Sequence, residues 1–195
     1  AVVVVDYAGH PCAYDEIKEL LSAYDLPLVA DACHSIGGSY KDKTVGNLAT
    51  MSAFSFHPVK DVTTAEGGAV STNDGDLAKR MRTFRNHGIT TDFRQREQKA
   101  SWYYEMVELG YNYRLSDLQC ALGITQLAKL EQSVNRRRAI AKTYRQKLAE
   151  LPGVKVLSEK EDVKHAYHLF MVRLDLTSLN KDKAAVFAAL RAEGI

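Results

Sequence analysis

The chain has 195 residues, which is enough for one large domain or for one domain and part of a second. Its formal net charge is +2 and 46% of its residues are hydrophobic, which argues against a disordered chain and against the basic surface of a nucleic-acid-binding protein. No apolar run approaches the roughly 20 residues of a membrane-spanning helix. We therefore expect neither nucleic acid nor a membrane as a partner.

The cysteines are odd in number, far apart and in no CxxC pair; they are Cys12, Cys33 and Cys120. This usage is typical of reduced, mostly buried thiols in a cytoplasmic protein. The sequence begins inside a strand-like run and ends directly after a helical pattern. We therefore expect a fragment of a longer chain.

Short apolar runs alternate with helical patterns in the first half of the chain. The predicted strands cover residues 2–5, 27–30, 51–56 and 69–71, and the predicted helices cover residues 15–24 and 74–84. The first run is continuously β-branched, as in a strand buried on both faces of a parallel sheet. This alternation predicts an α/β fold, with a mostly parallel sheet flanked by helices.

The second half begins with a polar segment, residues 90–105, that we interpret as a long loop. From Ser116 a helical pattern continues to about residue 150, and one uninterrupted helix of that length would extend about 50 Å. A strand over residues 166–174 and a helix over residues 181–193 are predicted to open a second small α/β domain. The predicted division is therefore residues 1–115, a long interdomain helix over residues 116–150, and residues 151–195.

The most informative motif is SFHPVK, residues 55–60, which follows the predicted strand over residues 51–56. A lysine held where a buried strand ends can lose its proton and attack a carbonyl carbon. The pattern therefore indicates that Lys60 is a nucleophile that forms a Schiff base. Because most lysines are solvated surface residues, this interpretation requires partners for Lys60.

Asp31 follows the predicted strand over residues 27–30, in the motif VADACH. Such a carboxylate either caps the next turn or holds a protonated ring nitrogen, as in enzymes that use pyridoxal 5'-phosphate (PLP). His34 would be in reach of the phenolic oxygen of that cofactor, and the Ser55 hydroxyl would donate to its phosphate. Because ligands of open α/β sheets bind at the carboxyl ends of strands, we expect Asp31, Ser55 and Lys60 on one sheet edge.

Other interpretations are weaker. The histidines at 10, 34, 57 and 87 are not spaced as metal ligands on one helix and no CxxC accompanies them, so we expect no metal. The basic stretch 135–147 is flanked by acidic residues and is more typical of a solvated helix face than of a nucleic-acid surface. Gly67-Gly68 indicates either a tight backbone passage beside Lys60 or a plain turn before a strand.

Together these motifs resemble the DegT-type nucleotide-sugar aminotransferases, in the family's order and over the whole chain. The matching segments are DYAG at 6–9, VADACH at 29–34, SFHPVK at 55–60, TAEGGAV at 64–70, GYNYRLSDLQ at 110–119 and RRR at 136–138. The resemblance implies a fold-type I PLP-transferase. Residues 1–115 would be the C-terminal part of the large PLP-binding domain, and residues 151–195 part of the small one.

The resemblance also implies the roles of individual residues in a homodimer with shared active sites. Lys60 would carry the PLP internal aldimine and shuttle a proton, and Asp31 would pair with the pyridine nitrogen. His34 would lie near the phenolic oxygen and Ser55 would bind the phosphate. Asn112 would reach the phosphate of the other subunit's cofactor. The rest of the phosphate site would come from the family's N-terminal third, outside this chain.

The implied reaction transfers the amino group of L-glutamate to the C4 keto group of a nucleotide sugar. The residues around Lys60 are most similar to family members that act on a UDP-linked 4-keto-6-deoxy-N-acetylhexosamine for surface polysaccharide or flagellin glycosylation. The ketosugars that lead to 4-amino-arabinose or perosamine are alternatives. A regulator that binds PLP without turnover is another, although such a protein has no need of the Lys60 amine.

Overall fold

The computed structural model describes residues 1–91 and 93–195. Its strands are β1 (Val2–Val5), β2 (Leu28–Asp31), β3 (Ser39–Tyr40), β4 (Lys43–Thr44), β5 (Met51–Ser55), β6 (Gly68–Ser71), β7 (Val154–Val156), β8 (Val163–Lys164) and β9 (Val172–Leu174). Its helices are α1 (Tyr14–Ser22), α2 (Gly75–Phe84), α3 (Phe93–Gln98), α4 (Asp117–Leu127), α5 (Leu130–Leu148), α6 (Leu176–Leu179) and α7 (Lys183–Ala192).

The main sheet has the strand order β1-β2-β5-β6. β1, β2 and β5 are parallel, and β6 is antiparallel to β5. In this register Asp31 lies beside Val5 on one side and Ala53 on the other. The predicted mostly parallel α/β sheet is confirmed, and the carboxyl ends of its three parallel strands meet at one edge.

The hydrophobic core lies on one face of this sheet. Its buried members are Tyr14, Leu28, Ala30, Tyr40, Leu48 and Val163. The opposite face of β1 is open, since Val3 and Val5 are 64% and 49% exposed. The prediction that β1 is buried on both faces is therefore wrong for this chain, because no described element covers that side.

The predicted single helix over residues 116–150 is wrong. Ser116 caps α4 in a capping box with Gln119, as expected of its position, but α4 ends at Leu127 and α5 begins at Leu130. The sequence around the turn contains neither Pro nor Gly, so the apolar stripe gave no sign of the break. The domain boundaries at residues 115 and 150 stay a prediction.

Two other segments differ from expectation. The polar segment 90–105 contains the short helix α3, so it is not entirely a loop. The predicted strand over residues 166–174 is limited to β9, because the residues before it pack on the turn at Ala8 and Gly9 instead of joining a sheet. There Ala166 N–H donates to Gly9 O at 2.9 Å and Leu169 N–H donates to Ala8 O at 3.1 Å. The helix predicted over residues 181–193 is confirmed as α7.

Within residues 1–91 and 93–195, no helix combines the length and the apolar character needed to cross a membrane.

Gly9 allows three backbone segments to meet. Its φ is +102°, and a Cβ at this position would lie 2.8 Å from His34 O, 2.9 Å from Tyr167 N and 3.0 Å from His168 N. All three neighbours are backbone atoms, which cannot rotate away as a flexible side chain can. A side chain at residue 9 would therefore force the segments apart.

We predict that Gly9→Ala lowers the free energy of unfolding of the full-length protein by about 2 kcal/mol or more, because it adds both backbone strain and a clash. Gly75→Ala is the matched control, since a Cβ there meets nothing within 4 Å at the start of α2. That control should change stability by less than about 1 kcal/mol. Chemical denaturation measures both values, and equal effects of the two substitutions would contradict the close approach at Gly9.

Candidate active site

The carboxyl edge of the main sheet brings together most of the predicted site residues. Asp31 is the last residue of β2 and Ser55 is the last residue of β5. Lys60 follows in a turn, where its N–H donates to His57 O at 2.9 Å. Hydrogen bonding by Cys33 is the main cause of a lowered Asp31 pKa and burial is the main cause of a lowered His34 pKa, and the positive charge of Lys60 adds to both effects.

Asp31 is a half-buried carboxylate whose pKa is lowered. Hydrogen bonding by Cys33 is the main cause of this shift, and it outweighs the opposing effect of burial. The Cys33 backbone N–H donates to Asp31 Oδ1 at 3.1 Å. The positive charges of His34 and Lys60 act in the same direction. Asp31 therefore stays ionised at neutral pH and offers a negative charge to a cationic partner.

His34 is neutral at neutral pH and has a defined tautomer. Burial lowers its pKa, and the charge of Lys60 adds to that effect. Ala8 N–H donates to His34 Nδ1 at 3.3 Å. Because Nδ1 accepts this hydrogen bond, the neutral ring carries its proton on Nε2. His34 can therefore donate a hydrogen bond to an oxygen of a bound molecule.

Ser55 lies at the predicted strand end, and its side chain is half-buried. Its Oγ accepts a hydrogen bond from His57 N–H at 3.4 Å. The hydroxyl proton is not used in that contact, so the group keeps a donor for an anionic ligand.

The Gly67-Gly68 pair forms a tight passage, not a plain turn. A Cβ on Gly67 would lie 2.6 Å from both Leu115 Cδ2 and Thr64 Oγ1. The φ of Gly67 is +147°, in the range that favours glycine. The same segment holds the start of the lysine loop, because Phe56 N–H donates to Gly67 O at 2.8 Å.

Asn112 is not joined to this group. It is exposed and forms an isolated antiparallel bridge with Asn86, whose side chain accepts a hydrogen bond from Arg114. In the part of the chain that the structure describes, no hydrogen bond, ion pair or ring contact links Asn112 to Asp31, His34 or Lys60. Its predicted role concerns another subunit, and it stays a prediction.

The sequence interpretation missed a buried charged group beside Lys60. The Asp61 side chain is fully buried, its Oδ1 lies 2.8 Å from Arg137 Nε, and its Oδ2 lies 3.5 Å from His168 Nδ1. The only signals in the sequence were an acid next to the key lysine and the RRR run. Neither of these local signals shows which residues meet in space.

No group of three or more His, Cys, Asp or Glu side chains within residues 1–91 and 93–195 is arranged to hold a metal ion.

Comparison with known proteins shows the family. Residues 1–195 match the model of the DegT/DnrJ/EryC1/StrS aminotransferase family, and the chain belongs to that family. A UDP-4-amino-4,6-dideoxy-N-acetyl-β-L-altrosamine transaminase from Campylobacter jejuni is 41% identical over 195 residues, which cover 100% of this chain and 50% of that protein. This chain therefore spans about half the length of the curated relatives it matches.

Solved structures agree with this assignment. Helicobacter pylori PseC, an aminotransferase of pseudaminic acid biosynthesis, has a TM-score of 0.89 and 34% identity over 100% of this chain and 50% of its own. Spr1654 from Streptococcus pneumoniae, in its PMP form, has a TM-score of 0.78 and 28% identity over 89% of this chain and 49% of its own. Spr1654 was also solved in a PLP form. The predicted family and fold class are confirmed, and solved neighbours in the family include PLP and PMP forms.

The observed residues fit the ring of PLP. Asp31 supplies a stable carboxylate for a protonated ring nitrogen, His34 supplies an Nε2–H donor, and Lys60 supplies an amine within electrostatic reach of both. Ser55 supplies a hydroxyl at the neighbouring strand end. This donor set is chemically compatible with PLP.

The Cys33 thiol offers a direct test of this geometry. Burial, followed by hydrogen bonding and charge from Asp31, raises the pKa of Cys33 from 9.0 to about 11. The pKa of Cys12 is also about 11, but there the acid involved is Asp6. We predict that Asp31→Asn accelerates alkylation of Cys33 at pH 8 in the cofactor-free, full-length protein, because removing the negative charge favours the thiolate.

Mass spectrometry of alkylated peptides over time measures the rates of both thiols in one sample. Cys12 is the internal control, and its rate should not change in Asp31→Asn. An unchanged ratio of the Cys33 rate to the Cys12 rate would contradict the proximity of Asp31 and Cys33.

Proposed function

We propose that the full-length protein is a PLP-dependent aminotransferase that moves the amino group of L-glutamate to C4 of a UDP-linked 4-keto-6-deoxy-N-acetylhexosamine. The observation that carries this proposal is that Asp31 ends β2 while the turn with Lys60 follows the parallel neighbour β5 at the same sheet edge, with His34 three residues after Asp31. In this proposal Ser55 and, from the other subunit, Asn112 hold the cofactor phosphate.

When bound, PLP supplies an aldehyde for amine exchange and a ring that withdraws electrons from the reacting carbon. That withdrawal is strongest when the ring nitrogen is protonated. Asp31 is suited to keep it so, because its low pKa maintains a negative charge at neutral pH. An Asn at the same position would lack that charge and would not favour the protonated ring.

Lys60 provides the amine that holds the cofactor and that later moves a proton. A proton shuttle must stay within hydrogen-bond reach of the atoms it serves. The hydrogen bond from Lys60 N–H to His57 O and the 2.9 Å bond from Thr64 N–H to Phe56 O fix the turn that carries this lysine. The backbone of Lys60 is therefore held, and its amine would move the proton.

His34 and Ser55 would orient the cofactor. The His34 ring is fixed by the hydrogen bond from Ala8 and by stacking on His168, with ring centroids 4.5 Å apart. Its Nε2–H is the donor for the phenolic oxygen. The Ser55 hydroxyl lies at the next strand end, where a phosphate group of a ligand is expected in an open α/β sheet.

The proposed substrate rests on the relatives. The Campylobacter jejuni relative is named for UDP-4-amino-4,6-dideoxy-N-acetyl-β-L-altrosamine, and PseC is described as an enzyme of pseudaminic acid biosynthesis. The product would be a 4-amino sugar for surface polysaccharide or flagellin glycosylation. Free cysteines and a nucleotide-sugar substrate support a location in the cytoplasm.

A homodimer is part of the proposal. The segment 102–113, which contains Asn112, exposes many large hydrophobic side chains: Trp102, Tyr103, Tyr104, Met106, Val107, Leu109, Tyr111 and Tyr113. Monomeric proteins rarely expose so many apolar side chains together. In this proposal a second subunit covers this segment, and Asn112 reaches the partner's cofactor.

We predict that Lys60→Ala in the full-length protein abolishes the visible absorption band of bound PLP and reduces turnover below detection. The amine that holds the cofactor is lost, whereas the fold is unchanged. Lys18→Ala, an exposed substitution on α1, is the control and should keep both the band and turnover. The assay measures turnover with L-glutamate as the amino donor and, in turn, each of a panel of UDP-, GDP- and dTDP-linked 4-ketosugars as the acceptor. Turnover in Lys60→Ala would reject the assignment of this lysine.

We predict that mixed dimers of Asn112→Ala and Lys60→Ala subunits recover activity. In such a dimer one site has both an intact Lys60 and an intact Asn112 from the partner, so it should be functional. Activity of the mixture is compared with that of each variant alone after subunit exchange. If Asn112→Ala alone is inactive and mixing restores nothing, Asn112 does not act across the interface.

A further inference from the structure

Asp61 is a charged side chain in a position that ordinarily excludes charge. Its carboxylate is fully buried, and burial raises its pKa, whereas the nearby Arg137 lowers it. Neither carboxylate oxygen makes a hydrogen bond of good geometry in the described residues, and neither does His168 Nδ1. Burying a carboxylate in this way is costly unless an opposite charge meets it. The ion pair with Arg137 at 2.8 Å provides that charge.

Arg137 links three parts of the molecule through one guanidinium group. It projects from α5, and its Nε lies beside Asp61 in the lysine turn. Its Nη1 donates to Tyr167 O at 3.1 Å and to His168 O at 3.4 Å. A planar guanidinium can contact the Asp61 carboxylate and these two carbonyl oxygens at the same time, whereas the single ammonium of a lysine cannot.

His168 extends the same link to the proposed cofactor site. Its ring is nearly buried, lies 3.5 Å from Asp61 Oδ2 through Nδ1, and stacks on His34 with an interplanar angle of 26°. Asp61 therefore contacts the His168 ring that stacks on His34. Asp61 is also the residue directly after Lys60 in the chain. Displacement of the Asp61 carboxylate would therefore disturb both Lys60 and His34.

We propose that Asp61 and Arg137 are positioning residues that fix Lys60 and His34 relative to each other, with His168 as the contact between Asp61 and His34. This inference rests on the proposed function, because positioning matters only if Lys60 and His34 serve the reaction. Neither residue is required to touch the cofactor or the substrate. Their loss should therefore reduce the rate of the chemical step more than it reduces binding.

The alternative is that the pair only joins α5 to the rest of the protein. The chain offers a control for this, because Arg138 makes the same kind of structural link without contacting Asp61. Arg138 Nε donates to His165 O at 2.9 Å and Arg138 Nη2 donates to Gly37 O at 3.0 Å. Arg136, the first residue of the run, is exposed and serves as a surface control.

The test measures kcat and KM of the full-length, PLP-loaded protein for the variants Asp61→Asn, Arg137→Lys, Arg138→Lys and Arg136→Ala. Asp61→Asn and Arg137→Lys should lower kcat by about 10- to 100-fold, because small displacements of reacting groups have effects of that size. KM for L-glutamate should change by less than about threefold, and the visible band of bound PLP should remain. Arg136→Ala and Arg138→Lys should keep kcat within about threefold of the parent.

Hydrogen exchange of the cofactor-free protein gives a second readout that does not depend on activity. Asp61→Asn should increase exchange in peptides that cover residues 57–61 and 165–168, and Arg136→Ala should not. A folded Asp61→Asn protein with unchanged exchange and unchanged kcat would overturn the proposal. So would an equal loss of kcat in Arg138→Lys and Arg137→Lys. If the parent protein shows neither bound PLP nor turnover, the proposed function has failed, while the exchange experiment still tests the link.

Discussion

The parallel pairing of β2 with β5 is the constraint on which the candidate site depends. It places Asp31 beside Ala53 and brings the carboxyl ends of both strands to one edge. Because side chains alternate along a strand, a slip of one residue would turn the Asp31 carboxylate to the other face of the sheet. The turn that carries Lys60 begins at this edge, so the separation of acid and amine is set by backbone hydrogen bonds.

Buried polar and charged side chains surround this edge of the sheet. Asp6 is fully buried and accepts hydrogen bonds from Cys12 N, Tyr14 Oη and Ser35 Oγ, which fixes the turn that approaches His34. The Asp61 side chain is also buried but relies on an ion pair with Arg137. Burial lowers the pKa of His168 to about 4, so that ring stays neutral beside Asp61. The site is thus surrounded by polar groups that are costly to displace.

The sequence predicted the parts of the site that depend on local pattern. Asp31, Ser55 and Lys60 follow apolar runs, and an open sheet must bring such strand ends together. It did not predict the contact of Asp61 with Arg137, because two residues far apart in the chain show no shared periodicity. The sequence also did not predict the break between α4 and α5, because the turn between them contains neither Pro nor Gly. The role of Asn112 in the site stays a prediction, because its proposed partner belongs to another subunit.

The most direct test is to identify the amine that carries the cofactor. Borohydride reduction of the PLP-loaded, full-length protein fixes the cofactor to that amine, and peptide mass spectrometry then locates it. We expect a single modified lysine, Lys60, and no modification when L-glutamate is added before reduction. Modification at a different lysine, or modification spread over exposed lysines with Lys60 unmodified, would rule out Lys60 as the amine that carries the cofactor.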